Sequence, residues 1–385
     1  MAKVALLQCN EYEPDLLKER ILKGLKDIGF DVNEFNNKRV ALKPNVLMPA
    51  PVKSAVVTHP EFVGAVVSIV KQYGGTPVII ESPAMTPSEW TMRKAGYTSM
   101  LENTGVEIAS VNEVEILFHE SSAKYKRFEI SKALHGVDII INLPKLKNHG
   151  ITYLSGAVKN LFGTIFGLNK SRWHLKASTP LDFSEMLLDL NVALLKGFEK
   201  PKPILHIMDA IIAQEGEGPG PSGKPKKIGA IIIGKSSIAV DYVAVKVAGL
   251  DYNKVHTITA GFKRDLGVTS PENIEIVGES IDSIRINDFV PTNHSFITNF
   301  GTRWPTNTKI MRELFTEKPV PLEGKCTLCY QCKKICPAGA IDISDGEHKT
   351  PTYNYKKCIR CYCCKEICPE AAISLKKGAL QWMML

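Results

Sequence analysis

The sequence predicts an α/β fold, a mostly parallel sheet with flanking helices, followed by a small C-terminal α+β unit built around cysteines. Three observations carry this reading. Short apolar runs alternate with helical stretches from Ala2 to about Val277. Within that stretch the forty residues from Ile141 to Pro180 contain no Asp or Glu. Two cysteine runs near the C-terminus share one spacing and stand 32 residues apart.

The runs Val40–Leu42, Val78–Ile80, Val137–Ile141, Ile204–Met208 and Ile228–Ile233 are short and mainly apolar, as strands buried on both faces require. Helices are expected over Asp15–Asp27, Glu61–Gln72, Phe183–Leu195 and Ile238–Val247. The second of these follows His59-Pro60 and precedes Gly74-Gly75, normal start and stop signals. Strands alternating with helices favour a parallel sheet, and ligands of such sheets bind beyond the C-terminal strand ends. The expected divisions are 1–281 for the α/β domain, 282–322 for an irregular connector, and 323–385 for the cysteine-rich domain and tail. Phe296, Phe300 and Trp304 would let the connector pack on the first domain.

The acid-free window holds Lys145, Lys147, Lys159, Lys170, Arg172 and Lys176, with His149 and His174. It begins where the strand Asp138–Asn142 should end, at the binding edge of the sheet. Lysines and helix N-termini gathered there would attract a phosphate or carboxylate; a basic face that aids solubility is the alternative. Lys145, Lys147, Lys159 and Asn160 are the candidate binding residues. A lysine acts there as a point charge or, once desolvated, as an acid or base. Lys43 and Asn45 follow another strand, with Pro44 holding the turn, and Lys43, His149 and Glu215 are the candidate proton donors.

Glu215–Gly223 has four glycines and two prolines among nine residues, which makes a turn or a lid whose glycines would let backbone approach a ligand. Neither phosphate-loop nor dinucleotide glycine pattern occurs there in strand–helix context. Asp209 ends a strand. Asp241 lies inside an apolar helix, where a buried acid needs a partner; one of the lysines is the expected one.

With 385 residues, 44% hydrophobic and 23% charged, the chain is long enough to bury a real core beside the cysteine unit. A net charge of +8 does not by itself indicate nucleic acid, and the basic window lacks the aromatic platforms of single-strand binders. Nine of the ten cysteines fall in the last sixty residues; Cys9, in an apolar first strand, is expected to be buried and inert. No pairing pattern remains for disulfides, so a reducing, cytoplasmic setting is expected. The start, MAKVALLQCNEYEPD, turns acidic too soon for a signal peptide or anchor. No stretch reaches the length of a membrane span, and the apolar tail GALQWMML is expected to dock on the fold.

Cys326, Cys329, Cys332 and Cys336 precede Pro337; Cys358, Cys361, Cys364 and Cys368 precede Pro369. Both runs read C-x2-C-x2-C-x3-C-P, the spacing that holds a [4Fe–4S] cube. Zinc sites pair cysteines with a longer gap, and disulfide frameworks belong to small secreted domains. Setting CTLCYQCKKICPAGAI on CIRCYCCKEICPEAAI matches ten of sixteen positions, an internal repeat. Cys363 falls opposite Gln331 and reads as a non-ligand. From Glu323 to Lys377 the segment resembles the bacterial-type two-cluster ferredoxin. The resemblance implies two [4Fe–4S] clusters and low-potential one-electron transfer. In such ferredoxins the fourth cysteine of each run ligates the other cluster. The implied ligand sets are therefore Cys326, Cys329, Cys332 and Cys368, and Cys358, Cys361, Cys364 and Cys336. Exposed clusters of this kind suit an anaerobic cell.

LKPNVL (Leu42–Leu47), THPEFV (Thr58–Val63), LPKLKNHG (Leu143–Gly150) and GAVKNLFG (Gly156–Gly163) form a set with MDAIIAQEGEGPGPSG (Met208–Gly223) and AVDYVAVKVAGLD (Ala239–Asp251). In order and spacing they resemble the uncharacterised family named domain of unknown function 362, which often carries a C-terminal ferredoxin module. The resemblance implies a fold and an iron–sulfur association and no established reaction. The expected function is an iron–sulfur oxidoreductase whose two clusters relay low-potential electrons to an anionic substrate or cofactor at the lysine-rich edge. A non-catalytic electron carrier or adaptor that docks a partner redox enzyme is the alternative. The expected partners are a redox protein (a ferredoxin or reductase) and a small anionic substrate, with neither nucleic acid nor membrane. If cluster and cleft of one chain lie too far apart, the reductase reading needs a domain movement or a second copy of the chain, a homodimer.

Overall fold

The computed structural model describes residues 1–83, 85–292, 314, 316–346 and 349–378. Phe296, Phe300, Trp304 and the tail from residue 379 lie outside the described residues.

The chain opens with β1 (Ala2–Gln8), α1 (Pro14–Asp27), β2 (Arg39–Pro44), α2 (Pro60–Gln72) and β3 (Thr76–Ile79). Helices α3 (Ser88–Met92) and α4 (Thr98–Thr104) lead to β4 (Glu107–Ile108). A separate hairpin, β5 (Val114–Phe118) with β6 (Arg127–Ser131), comes before β7 (Ile139–Leu143), β8 (Lys145–His149) and β9 (Tyr153–Ser155). Next are α5 (Ala157–Asn160), α6 (Asn169–Lys176), α7 (Pro180–Lys196), β10 (Ile204–Gly216) and β11 (Gly223–Gly234). The sheet-forming part closes with α8 (Ser237–Val247), α9 (His256–Lys263), β12 (Ile274–Gly278) and α10 (Ile281–Ile284).

Ten described strands form one sheet in the order β12-β1-β11-β10-β7-β2-β3-β4, with β8 on β10 and β9 on β8. Pairing is parallel from β10 through β7, β2 and β3 to β4, and between β12 and β1. Strand β11 runs antiparallel to both its neighbours. The five runs expected as strands fall in β2, β3, β7, β10 and β11, and the four expected helices in α1, α2, α7 and α8.

Strand alternation divides the interior into two cores. Ile140 of β7 packs with Leu187 of α7 and Val240 of α8, while Ile139 and Ile141 pack with Leu17 of α1 and Val63 of α2. Covered on both faces, β7 is buried at all five positions, hence its unbroken apolar reading. Proline opens α1, α2 and α7, where the missing N–H is unpaired in any case. The Glu13, Thr179 and Ser236 side chains cap α1, α7 and α8, each satisfying N–H groups that the first turn leaves open.

Strands β10 and β11 run 13 and 12 residues, longer than their apolar runs, because they continue as a hairpin past the sheet edge. Glu215 and Gly216 therefore belong to β10, and the glycine-rich turn is shorter than the sequence suggests.

The C-terminal unit contains β13 (Lys318–Pro321), α11 (Gln331–Ile335), β14 (Ile341–Asp342), β15 (Thr352–Tyr353), α12 (Cys363–Ile367) and β16 (Ile373–Lys376). β13 pairs with β16 and β14 with β15, both antiparallel. The internal repeat reaches the backbone. Leu328 and Tyr330 have φ of 56° and 55°, and their counterparts Arg360 and Tyr362 have 60° and 57°. Left-handed backbone at four non-glycine residues is uncommon; here it coils each cysteine loop back on itself.

Candidate functional site

Strands β2 and β7 end side by side, with Lys43 opposite Asn142 and Pro44 opposite Leu143. Glu81 follows β3 at the same edge, β8 supplies Lys147 and His149, and the short α5 supplies Lys159 and Asn160. With Asn45 and Lys170 these residues line a cavity of about 40 Å³, room for a few waters or a small ion.

Lys43 Nζ meets Glu81 Oε2 at 2.6 Å, both side chains nearly fully buried. Gly163 makes room for that pair, since a Cβ there would stand 2.4 Å from Lys43 Nζ. Lys147 Nζ donates only to neutral oxygens, Asn45 Oδ1 at 2.8 Å and Val56 O at 2.7 Å. Burial, reinforced by nearby Lys159, pushes its ammonium down to about 7. Lys170 Nζ donates to Ser82 O, and burial pushes it to about 7 as well. Lys159, half-buried, lies 5.4 Å from the Phe162 ring and has no hydrogen-bond or ion-pair partner among the described residues. His149 Nδ1 accepts from Ile151 N at 3.1 Å and Thr152 N at 3.3 Å, so its proton sits on Nε2, which stands 3.3 Å from Glu366 Oε1. Burial, then Lys159, holds this imidazole well below its ordinary range, hence neutral. At and below neutral pH, where Lys147 and Lys170 hold their protons, four lysines face two carboxylates, Glu81 and Glu366, and the surplus positive charge suits an anion.

The depressed lysines set a pH dependence. Lys147 and Lys170 titrate near 7 in the fold and near 10.5 as free side chains. Between those values the unfolded chain binds more protons, so stability rises with pH. Urea midpoints should climb from pH 7 towards 10.5, and less steeply in Lys147→Met; a slope unchanged in the variant would remove Lys147 as its source.

A chain of buried side chains leaves the cavity through the core. Lys147 donates to Asn45, Asn45 Nδ2 to Asn160 Oδ1 at 2.8 Å, and Asn160 Nδ2 to Asn142 Oδ1 at 2.8 Å. Asn142 Nδ2 then reaches His206 Nδ1 at 3.0 Å. Asn142 and Asn160 also donate to the carbonyls of Ala157 and Lys43.

Of the residues expected at the site, Lys43, Lys147, His149, Lys159 and Asn160 come together; Lys145 and Glu215 stand apart. Lys145 is in register with Asp209 and pairs with it at 2.8 Å, both side chains buried. Asp209 also accepts from Tyr12 Oη at 2.8 Å and His59 N at 3.0 Å. Glu215 accepts from Val290 N at 2.8 Å. The partner of Asp241 is not a lysine. Its carboxylate accepts from Ala157 N at 2.5 Å and Val158 N at 3.1 Å, capping the helix that carries Lys159. Glu81, Lys170 and Glu366 are additional lining or facing groups. Glu81 had a signal, as the first acid after an apolar strand; Glu366 had none.

Helix α12 of the cysteine unit packs onto this cavity. Lys365 pairs with Glu217 at 2.7 Å, Glu366 faces His149, and Cys363 and Ile367 join the core that contains Val46. A Cβ on Gly220 would come within 2.5 Å of Glu366 O. Gly220 therefore admits this helix, while Pro219 of the same loop lines the lysine cavity.

None of the ten cysteines forms a disulfide. Cys326, Cys329, Cys332 and Cys368 border one small cavity, and Cys364 has Cys361, Cys358 and Cys336 among its neighbours. Ala340 N and Ala372 N donate to Cys336 Sγ and Cys368 Sγ, each at 3.3 Å. Among the described residues no three donors converge on a single ion. A cube gives each thiolate its own iron, so its four sulfurs stand apart. The donor set fits [4Fe–4S] binding.

A largely parallel α/β sheet whose strand-end cavity is covered by such a unit defines an iron–sulfur electron-transfer protein. Residues 318–369 match the 4Fe-4S dicluster domain. Residues 40–246, over half the chain, match Domain of unknown function 362, and the protein belongs to that family. A thylakoid-associated protein of Synechocystis sp. is 31% identical over 271 residues, 70% of this chain and 81% of that one. Among solved structures, the lactate racemase apoprotein from Thermoanaerobacterium thermosaccharolyticum aligns with a TM-score of 0.41 at 15% identity, covering 62% of this chain and 56% of that one. A Thermotoga maritima protein aligns at 0.39 and 12%, covering 60% and 57%. The chain thus spans a little over half the length of either solved structure. Among the described residues no helix is long and apolar enough to cross a membrane.

Proposed function

We propose that the protein is an iron–sulfur reductase that transfers electrons to a small anionic substrate bound among Lys43, Lys147, Lys159 and Lys170. The observation that carries this reading is the seating of α12, which places Cys361 and Cys364 on the segment that covers the lysine cavity. Bound to Cys326, Cys329, Cys332 and Cys368, and to Cys336, Cys358, Cys361 and Cys364, two [4Fe–4S] clusters would supply single low-potential electrons. The lysines neutralise and orient the anion. Lys147, held near neutral pH by its burial, is suited to donate a proton from Nζ, and neutral His149 can donate from Nε2. A reducing, cytoplasmic setting suits ten cysteines none of which forms a disulfide.

Electron paramagnetic resonance of anaerobically purified, dithionite-reduced protein tests this. Inorganic phosphate should perturb the spectrum in the wild type and leave it unchanged in Lys147→Ala/Lys159→Ala. A spectrum insensitive to phosphate and to small carboxylates would remove the anion from the vicinity of the clusters. Ligand assignment has its own check. Cys332→Ser and Cys368→Ser should lose the same signal, and Cys364→Ser and Cys336→Ser the other; pairing within each run would overturn the crossed sets.

One feature favours a docking role. Val114, Ile116 and Phe118 lie on one face of β5 with relative exposures of 43%, 55% and 49%, an apolar stripe suited to a redox partner or a second copy. Loss of electron exchange with a ferredoxin in Ile116→Asp/Phe118→Asp, with phosphate binding intact, would support it.

A further inference from the structure

A second cavity, about 290 Å³, lies where β11 turns into α8. His206, Ser236, Ser237, Lys196, Lys235 and Asp265 are among its lining residues. We propose that it is a second anion site, taking a small molecule that bears a phosphate or carboxylate.

Two independent observations support it. The first is the N-terminus of α8, an 11-residue helix entered through Gly234-Lys235-Ser236. Ser236 Oγ accepts from Ala239 N at 3.3 Å, and the N–H groups of the preceding first-turn residues remain to face the space before the helix.

The second is His206, only 2% exposed. The amide chain fixes where its proton lies. The carbonyls of Ala157 and Lys43 can only accept, so the amide nitrogens of Asn142 and Asn160 must point towards them. Asn142 therefore donates to His206 Nδ1. Burial pushes this imidazole down to about 3, so it is neutral and its single proton sits on Nε2. His206 lines the cavity, and no hydrogen bond among the described residues engages its Nε2. The cavity it lines is far larger than one water needs. Lys196 and Lys235 outnumber Asp265 around it, which favours an anionic acceptor. Lys235 is in part engaged elsewhere, 3.3 Å from Gly29 O.

The test uses full-length, cluster-loaded protein and inorganic phosphate as the probe. Lys159→Met weakens the lysine cavity and isolates the second site, so calorimetry should still detect phosphate in that variant. Adding Lys196→Glu/Lys235→Glu, both exposed, should weaken the remaining binding by about tenfold or more. In ¹⁵N-histidine-labelled Lys159→Met protein, phosphate should shift a ring Nε2 signal that is absent once His206→Gln is added. Phosphate binding abolished by Lys159→Met alone, or unmoved by the added charge reversals, would overturn the proposal. So would a His206 signal that ignores phosphate.

Discussion

Asp209→Ala should destabilise the protein by about 3–5 kcal/mol, the range for removing one partner of a buried ion pair. Asp209 is fully buried and receives Lys145 Nζ, Tyr12 Oη and His59 N, with Ile211 N at 3.3 Å. Tyr12 precedes α1 and His59 precedes α2, and their rings stack at 3.7 Å. One carboxylate therefore ties the entries of both helices to β8 and β10. Alanine leaves the Lys145 ammonium in the core without its counter-charge. Urea denaturation should show the loss, and Asp209→Asn/Lys145→Met should recover much of it by removing both charges together. A single variant within about 1 kcal/mol of the wild type, the ordinary effect of a point substitution, would mean that the pair is not held as a charged unit.

Lys159→Met should behave in the opposite way. Stability should be unchanged or slightly raised, because a half-buried ammonium without an ion-pair partner gives way to an apolar side chain of similar length against Phe162. Burial already disfavours the Lys159 ammonium. Phosphate affinity at the lysine cavity should fall about tenfold to a hundredfold, equivalent to losing one charge-assisted hydrogen bond of about 1.5–3 kcal/mol. Thermal melts and calorimetry on the same samples separate the two effects. Strong destabilisation would assign Lys159 to the architecture and weaken the reading of this cavity as an anion site. The contrast with Asp209 reflects a general pattern: groups placed for a ligand are often tolerated at the expense of stability.

The sequence made the strands legible because β2, β7, β10 and β11 are buried on both faces and carry nearly unbroken apolar runs. It made α1, α2, α7 and α8 legible through their start signals. Lys147 and Lys159 could be found because an acid-free window began at a strand end. Lys145 sits in the same window but belongs to a different pair, since only the strand register brings Asp209 beside it. Glu215 stands in a glycine-rich stretch that reads as a loop, whereas β10 continues through it. Glu366 could not be anticipated, because its approach to His149 depends on how α12 seats against the sheet, and no local pattern encodes that docking. The need of Asp241 for a partner is visible in its apolar helix, but the backbone N–H groups that meet it carry no sequence signature.

The asparagine chain has a consequence for how this protein can diversify. Each amide gives hydrogens in one direction and takes one from the other, and two carbonyls admit only that polarity. Changing one link leaves its neighbour with two donors or two acceptors facing each other, a penalty that the next link cannot relieve by rotating. Asn45, Asn142, Asn160 and His206 should therefore be inherited as a block. Family members should keep the whole set or have replaced it together, and intermediates carrying a single exchange should be scarce.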